Sequence, residues 1–229
     1  MDVEKLDNPT WYSLAETHSD LAIDYNGIKF YHPAYCPFGG FIKPEATETG
    51  IDTYALLTNN FYVVGNRPVF NNKVRLKKEL VCNQMLLDKR INIVISEQII
   101  ELQTTNQKTD LFDLVNLVQP GYFKDKTSDL GIYYGIYKDD KLIAVTGERM
   151  KMNKYSEVSA VVTHPEHIGK SYAKQLIVYA SNRIFNEEKI PYLHVADTNI
   201  GAIGLYEKLG FWTRRKISFW NLITNDDTK

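Results

Sequence analysis

An apolar strand that runs into a small-residue loop and then into a helix is the pattern that most constrains this chain. It spans Glu157 to Ala173 and reads EVSAVVTHPEHIGKSYA. An unbroken apolar run is typical of a strand buried on both faces of a sheet. The helix that follows would point its free backbone N–H groups and the positive end of its dipole at the loop. The segment therefore predicts a site for a phosphate-bearing ligand at a helix N-terminus.

Helix and strand patterns are clear in the second part of the chain. Asp139-Asp140 predicts the turn of a β-hairpin, and Asn199 and Gly210 predict the start and end of a helix. Thr109 predicts the N-cap of another helix. Strands are predicted over 133–138, 142–150, 156–163, 192–196 and 211–222, and amphipathic helices over 111–118 and 171–184. This order indicates the α/β fold class, with a mixed sheet flanked by helices.

The first part, residues 1–96, carries weaker patterns. Asn8-Pro9 predicts a short helix, and strands are predicted over 61–64, 80–87 and 91–95. The aromatic loop over 31–41 can either plug the core or line a pocket, and both interpretations stay open. The last predicted strand of the chain, which carries Phe219, is expected to form an exposed edge that can pair with a second copy. We therefore expect a monomer or a homodimer.

Charge and composition exclude several classes of function. The 229 residues carry a net charge of −1, and the tight basic clusters, Lys77-Lys78 and Arg214 to Lys216, are interpreted as solvated surface. We therefore expect no nucleic-acid partner. The chain has no apolar run of about 18 residues and no secretory signal, so we expect no membrane partner. Cys36 and Cys82 are too few for a disulfide framework, which favours a reduced, cytoplasmic setting.

The loop between the apolar strand and its helix has residues that allow a ligand to approach closely. Gly169, Ser171 and Ala173 are small, and Lys170 can add a charge-assisted contact. A plain strand-to-helix turn built from small residues explains the same pattern, and the run is not a P-loop. Both interpretations stay open on the loop residues alone.

A second motif, Asn199 to Phe211, reads NIGAIGLYEKLGF. Together with the first segment it resembles the GNAT superfamily of acyl-CoA N-acyltransferases. The resemblance implies a GNAT N-acetyltransferase domain over 97–229, with a central, mostly antiparallel sheet flanked by helices. The run TGERMKMNKYSEVSAVVTHPEHIGKSYAKQLI is similar to a branch related to glycine N-acyltransferase-like C-terminal domains. Residues 1–96 would then be an accessory region, interpreted as a diverged half-GNAT unit.

The resemblance also implies which residues bind coenzyme A. The superfamily signature Q/R-x-x-G-x-G/A binds the CoA pyrophosphate through backbone N–H groups, and residues 168–173 stand in its place. Ile168 departs from the polar first position, and Ser171 departs from the first glycine. The preceding strand pairs with pantetheine through its backbone, and Asn199 contacts pantetheine through its side chain. The cofactor-binding residues implied are Val161, Val162, Thr163, Ile168, Gly169, Lys170, Ser171, Tyr172, Ala173 and Asn199, with no metal.

Two side chains are candidates for catalysis. The resemblance puts the hydroxyl of Tyr206 near the CoA sulfur, where a phenol of pKa about 10 can protonate a leaving thiolate of pKa about 8.5. Glu157, at the start of the central strand, is the candidate base, with a pKa raised by burial. His164 is the alternative base and Glu148 a weaker one, whereas His167 is assigned to the loop.

These residues and the resemblance predict transfer of an acetyl group from acetyl-CoA to a primary amine, by direct attack in a ternary complex. The acceptor is a small molecule or a peptide that the sequence does not identify. A non-catalytic acyl-CoA-binding or sensor protein is the alternative, because the loop signature is degenerate. A nucleotide-binding protein is disfavoured because the chain has neither a P-loop nor a GxGxxG motif.

Overall fold

The computed structural model describes residues 3–225. The α-helices are α1 (Pro9–Ala15), α2 (Thr47–Tyr54), α3 (Thr105–Val118), α4 (Tyr172–Asn186) and α5 (Ile200–Lys208). The strands are β1 (Ala22–Asp24), β2 (Ile28–Tyr31), β3 (Phe38–Phe41), β4 (Asn60–Gly65), β5 (Val74–Leu86), β6 (Ile100–Glu101), β7 (Tyr133–Lys138), β8 (Lys141–Lys151), β9 (Tyr155–Thr163), β10 (Ile190–Ala196) and β11 (Trp212–Thr224). Within these residues, no helix combines the length and the apolar character that crossing a bilayer requires.

All these strands pair in one sheet, in the order β1-β2-β3-β4-β11-β5-β10-β9-β8-β7-β6. The pairs β3–β4 and β9–β10 are parallel, and the other neighbours are antiparallel. Helices cover both faces: Tyr133 packs with α3, whereas the next residue, Tyr134, packs with α4. This alternation follows from the strand geometry, in which successive side chains point to opposite faces. The structure confirms the predicted α/β class and the mostly antiparallel sheet.

Elements that depend on short-range geometry form where the sequence predicts them. Asp139 and Asp140 adopt positive φ angles of 49° and 59° in the turn between β7 and β8. Asn199 caps α5 by accepting a hydrogen bond from the backbone N–H of Ala202 at 3.2 Å. Gly210 follows the end of α5 with φ 94°, a conformation that glycine adopts at little cost.

The predicted N-cap of α3 is wrong. The cap is Thr104, whose hydroxyl accepts from the backbone N–H of Gln107 at 3.3 Å, while the Gln107 side chain accepts from the backbone N–H of Thr104 at 2.9 Å. This reciprocal pair satisfies two N–H groups at the start of the helix. Thr109 lies inside α3, and its hydroxyl donates to the carbonyl of Thr105.

The strand predicted over residues 91–95 is also wrong, because this segment is irregular. Its isoleucines pack into the apolar cluster formed with α4 and α5. The side chain of Asn182 satisfies the backbone there: it accepts from the N–H of Ile91 at 3.1 Å and donates to the carbonyl of Ile91 at 2.9 Å. The apolar alternation of this segment therefore reflects burial beside a helix and not strand pairing.

Strands β5 and β11 lie in the middle of the sheet. β11 pairs with β4 on one side and with β5 on the other, and β5 pairs in turn with β10. The prediction that the last strand is an exposed edge is therefore wrong, and Phe219 faces Val64 and Leu80 across the two pairings. β5 extends the strand predicted over 80–87 and stands between two strands of the second part. The division into 1–96 and 97–229 does not coincide with a break in the sheet and stays a prediction.

A buried histidine joins α1 to β2. The Nδ1 atom of His18 lies 2.9 Å from the hydroxyl of Tyr31 and 3.2 Å from the hydroxyl of Ser13. Burial, together with the positive charge of Lys151, lowers the pKa of His18 from 6.5 to about 4. Between pH 4 and 6.5, His18 is therefore protonated in the unfolded chain and neutral in the folded protein.

We expect the free energy of unfolding to fall by up to about 3 kcal/mol as the pH drops from 6.5 to 4. Above pH 6.5 this contribution of His18 is fully present, because the imidazole is then neutral in both states. Urea unfolding across this range measures the effect, and His18→Gln should lose it. The same acid dependence in His18→Gln would show that other groups cause it.

Candidate active site

The sheet opens between β9 and β10. These parallel strands pair through residues 155–157 on β9 and 190–192 on β10. Beyond Glu157, β9 remains paired with β8, whereas β10 remains paired with β5 as far as Ala196. The two strands therefore diverge, and β9 turns an unpaired backbone edge towards the opening. Such an edge can form hydrogen bonds with an extended ligand.

A β-bulge distorts β9 at this opening. Val145 faces Val162 and Gly147 faces Ser159, so β9 carries one residue more than β8 over this interval. Ala160, within the bulge, has φ 50°, which is uncommon for a residue other than glycine. The consecutive residues 158–161 all line the same cavity, which the alternating faces of a regular strand would not allow. The bulge therefore turns the chain towards the opening.

The loop before α4 forms a cavity of about 310 Å³, which we call the loop cavity. Gly169 and Ser171 have φ angles of 83° and 63°, so both lie in the left-handed region, which glycine adopts at the lower cost. Lys170 and Lys174 add positive charge beside the positive end of the α4 dipole. Ile168 is 69% exposed. The loop therefore offers backbone N–H groups and cationic side chains to an anionic ligand.

A larger cavity of about 520 Å³, the central cavity, lies at the opening of the sheet. It shares Ala173 and Leu205 with the loop cavity, so the two cavities adjoin. Glu157, Asn199 and Tyr206 line it. The first part of the chain also lines it, through Phe38, Leu80 and Cys82.

Glu157 is held by four hydrogen bonds in the central cavity. Its Oε1 accepts from Nη2 of Arg149 and from Nδ1 of His194, each at 2.8 Å. Its Oε2 accepts from Nε of Arg149 at 2.9 Å and from the backbone N–H of Met150 at 3.3 Å. Arg149 also lies 4.7 Å from the centre of the Phe38 ring. The carboxylate is therefore fixed in position and paired with a cation.

The expected raised pKa of Glu157 is wrong. Burial alone would raise the pKa, but the charge of Arg149 and the hydrogen bonds from Arg149 and His194 outweigh it. Together they lower the pKa of Glu157 from 4.5 to about 2. Glu157 is therefore a carboxylate at neutral pH and a weak proton acceptor.

His194 is oriented from both sides. Arg214 donates to Oε1 of Gln84 at 3.0 Å, which identifies that atom as the amide oxygen. The other end of the Gln84 amide is therefore its nitrogen, which is a hydrogen-bond donor. That nitrogen lies 2.7 Å from the carbonyl of Leu6 and 3.1 Å from Nε2 of His194. His194 therefore accepts through Nε2 and donates through Nδ1 to Glu157, which fixes the proton on Nδ1.

Tyr206 points from α5 into the same cavity. It is 7% exposed and its ring packs against Phe211 at 5.8 Å. Burial raises the pKa of Tyr206 above its ordinary value, so the hydroxyl keeps its proton at neutral pH. Asn199 lies seven residues before Tyr206, about two helix turns. Because its oxygen caps α5, its amide N–H₂ group remains available to a ligand.

Several residues predicted for the site lie elsewhere or face away. Val162 points to the opposite side and packs with α3, so it can contribute its backbone alone. Glu148 is buried and bonded to Ser156 and Lys151, and it does not line the central cavity. His164 lies outside the central cavity and accepts from the backbone N–H of Glu166 at 3.3 Å.

His164, Glu166 and His167 form a group at the loop whose possible metal-ligating atoms lie within 4.8 Å of one another. Two of these residues are half-buried and the third is exposed. The expectation that the site uses no metal stays a prediction.

Sequence reasoning missed the partners of Glu157. Arg149 and His194 lie on different strands and meet Glu157 only when the sheet forms. One signal was available: a glutamate predicted on a buried strand needs a buried cation or hydrogen-bond donors. Phe38 belongs to the aromatic loop over 31–41, and it both lines the central cavity and packs in the core, so the two interpretations of that loop hold together. Nothing in the local sequence indicated Cys82, because it lies on a strand distant in the chain.

Comparison with known proteins identifies the family. A family model described as the acetyltransferase (GNAT) family matches residues 97–211. A solved structure from Novosphingobium aromaticivorans, described as an acetyltransferase from the GNAT family, is 31% identical with a TM-score of 0.88. That match covers 96% of this chain and 98% of the other. The chain therefore belongs to the GNAT family of acetyltransferases, whose members use acetyl-CoA or CoA as co-substrate.

More distant structures share the fold alone. A GCN5-related N-acetyltransferase from Kribbella flavida is 11% identical, with a TM-score of 0.62 and coverage of 92% and 93% of the two chains. A GCN5-related N-acetyltransferase-like protein from Streptococcus suis is 14% identical, with a TM-score of 0.61 and coverage of 96% of each chain. No protein with a curated function matches the chain. The branch related to glycine N-acyltransferase-like domains stays a prediction.

Proposed function

We propose that this protein transfers an acetyl group from acetyl-CoA to a primary amine, by direct attack of the amine in a ternary complex. The observation that carries the proposal is the opening between β9 and β10. It adjoins the loop cavity at one end and holds Glu157 and Tyr206 in the central cavity. Membership of an acetyltransferase family supports acetyl transfer in general.

The cofactor would lie along the opening. Its pyrophosphate would sit in the loop cavity, on the N–H groups at the start of α4, with Lys170 adding charge. The pantetheine arm would pair with the edge of residues 161–163 that faces away from β8, and it would accept from the side-chain amide of Asn199. The acetyl group would then reach the central cavity. The exposed Ile168 would add no polar contact, so the backbone carries the binding.

Glu157 would act as a fixed negative charge. The attacking amine gains positive charge as its bond to the acetyl carbon forms, and a carboxylate in a buried cavity stabilises that charge. Because its pKa is about 2, Glu157 is ionised before the acceptor arrives. The proton of the amine would leave to solvent, since Glu157 is too weak a base to hold it. His194 and Arg149 would keep the carboxylate in place.

Tyr206 would donate to the leaving sulfur. Its buried hydroxyl carries a proton at neutral pH, and burial also makes a thiolate more basic. A hydrogen bond from Tyr206 to the sulfur would therefore strengthen as the carbon–sulfur bond breaks. The resemblance to the family's second motif supports the same role.

Direct attack is favoured over an acetyl-enzyme intermediate. Cys82 is the cysteine that lines the central cavity within the described residues. Burial raises the pKa of Cys82 to about 12, against the opposing effect of Arg149, so it is a thiol and not a thiolate. Since the thiolate is the nucleophile, Cys82 is poorly suited to accept the acetyl group.

The first test combines binding with turnover. Acetyl-CoA should bind at one site in titration calorimetry, and free CoA should be released when amines are added. Tyr206→Phe and Glu157→Gln should each lower turnover by about 10²-fold while the affinity for acetyl-CoA is retained. Tyr179→Phe and Glu207→Gln are matched controls, because neither residue lines the central cavity.

Two outcomes would oppose the proposal. Binding of acetyl-CoA without transfer to any amine would favour the acyl-CoA-binding or sensor alternative. If acetyl-CoA does not bind, both the proposed cofactor and the proposed reaction are wrong. If the control variants lose as much turnover as the site variants, the losses are not specific to the central cavity, and the roles proposed for Glu157 and Tyr206 are not supported.

The pH dependence tests the role of Glu157 separately. Because its pKa is about 2, the acid limb of kcat/KM should follow the pKa of the acceptor. An α-amine of pKa about 8 and a lysine side chain of pKa about 10.4 should therefore give limbs about two pH units apart. A limb at the same pH for both acceptors would identify an enzyme group as the base.

A further inference from the structure

A third cavity, of about 360 Å³, adjoins the central cavity and carries three lysines. It shares Pro120 and Tyr122 with the central cavity. Lys77, Lys78 and Lys124 line it, and we call it the lysine cavity. Its other lining residues are neutral, and asparagine and threonine side chains are prominent among them.

A β-bulge directs two of the lysines to the same cavity. Across β5 and β11, Asn221 faces Lys78 and Leu222 faces Leu76, so Lys77 is an extra residue on β5. Consecutive residues of a regular strand point to opposite faces, and a bulge removes that restriction. Both lysines are exposed, as the sequence pattern predicts, and the bulge places both on the wall of one cavity.

The positive charge of this cavity is not neutralised by the part of the chain that the structure describes. No carboxylate lines the cavity, and none of the ion pairs of residues 3–225 includes Lys77, Lys78 or Lys124. Like charges that share a concave wall attract an anion, and lysine donates charge-assisted hydrogen bonds to carboxylate and phosphate. An anionic ligand in this cavity would therefore neutralise the positive charge of the three lysines.

The spacing along β5 relates the two cavities. Lys78 and Cys82 lie on one face of the strand, because alternate residues share a face. Lys78 lines the lysine cavity, and Cys82 lines the central cavity beside Glu157. At about 3.3 Å per residue, their Cα atoms lie about 13 Å apart. A ligand that occupies both cavities must be elongated.

We infer that the acceptor amine carries an anionic group about 10 Å from its nucleophilic nitrogen, and that Lys77, Lys78 and Lys124 bind this group. The inference rests on the proposed acetyl transfer and names the acceptor class for the same site. A free α-amino acid is too short, because its carboxylate is next to its amine. An extended tripeptide spans about 10 Å between its ends.

Oligoglycines of increasing length test this inference. Glycine, diglycine, triglycine and tetraglycine are each compared with the corresponding C-terminal amide, which removes the negative charge. Amidation also lowers the pKa of the amine, most of all in glycine, so each kcat/KM is calculated for the unprotonated amine. We expect kcat/KM for triglycine to exceed that for triglycine amide by at least about tenfold, with no such preference for glycine over glycinamide. Aminohexyl phosphate compared with hexylamine tests whether a phosphate serves as well as a carboxylate.

Variants assign the preference to the lysines. Lys77→Ala/Lys78→Ala/Lys124→Ala should bring triglycine down to the rate of its amide and leave the amide unchanged. Lys43→Ala/Lys89→Ala/Lys154→Ala is the matched control: it removes the same charge from exposed residues that line neither cavity. The control variant should retain the preference.

The outcomes separate this inference from the proposed function. Equal kcat/KM for triglycine and its amide would overturn the inference and leave acetyl transfer standing. If no amine is acetylated, acetyl transfer fails, and saturation-transfer NMR of the CoA-loaded protein decides the inference. Stronger binding of triglycine than of its amide, lost in the triple variant, would support the lysine site, and equal or absent binding would overturn it.

Discussion

Arg149→Met is expected to lower the free energy of unfolding by about 3–5 kcal/mol, because it leaves the buried carboxylate of Glu157 without its cation. Total stability is typically about 5–15 kcal/mol, so the loss is a large share of it. Urea unfolding at neutral pH measures this effect.

The pH dependence of stability should also invert in this variant. In the parent protein the lowered pKa of Glu157 contributes stability that is present above pH 4.5 and lost as the pH falls towards 2. Without Arg149, burial is opposed only by His194 and the backbone N–H of Met150, and we expect it to raise the pKa of Glu157 above its unfolded value of 4.5. The folded state then holds the extra proton, so stability should fall as the pH rises above about 4.5.

A double variant separates charge from packing. Arg149→Met/Glu157→Gln removes the unpaired charge and should regain about 2 kcal/mol relative to the sum of the two single losses. Arg149 also packs over the ring of Phe38, and that contact is lost in the single and the double variant alike. Strictly additive losses, without inversion of the pH dependence, would assign the contribution of Arg149 to packing.

Residues 97–229 alone are expected not to fold into a stable domain, although the family model falls within them. A fragment that lacks residues 1–96 also lacks β4 and β5, which are the two neighbours of β11 in the sheet. The thirteen-residue strand β11 would then have no neighbour. We expect the fragment to lack cooperative thermal unfolding and to expose apolar surface, measured by calorimetry and dye binding.

A nicked full-length chain is the control for this experiment. Lys89 and Arg90 lie in an exposed segment after β5, so cleavage there leaves every strand intact. The two pieces should stay associated and unfold as one unit. A stable, cooperatively folded fragment that begins near residue 97 would instead support two separable units.

Much of the fold could be predicted because local geometry specifies it. The turn at Asp139 and Asp140, the cap at Asn199 and the end at Gly210 each depend on a few neighbouring residues. The place of β11 could not be predicted, because its partners are more than one hundred residues away and no periodicity encodes a partner. The apolar alternation over 91–95 correctly indicated that the isoleucines are buried or half-buried, but it wrongly predicted a strand. A paired strand and an irregular segment packed beside a helix can produce the same alternation.

The candidate site divides in the same way. The loop before α4 and the strand ahead of it were found from sequence, because a run of small residues next to an apolar strand indicates close backbone approach. The charge state of Glu157 could not be found, since its pKa is set by Arg149 and His194 on neighbouring strands. The exposure of Lys77 and Lys78 agrees with the prediction from sequence, but their place on one cavity wall depends on a bulge that has no signature in the local sequence.

The place of β11 also determines when the sheet can be completed. β4 and β5 are consecutive along the chain, yet β11, residues 212–224, lies between them. During synthesis both strands emerge from the ribosome long before their common neighbour, so their edges stay unpaired in the meantime. Unpaired edges can bind one another or other chains, which makes a partly synthesised chain prone to misassembly. Folding of the middle of this sheet therefore waits for residues 212–224, and until then the edges of β4 and β5 that face β11 stay open to other chains.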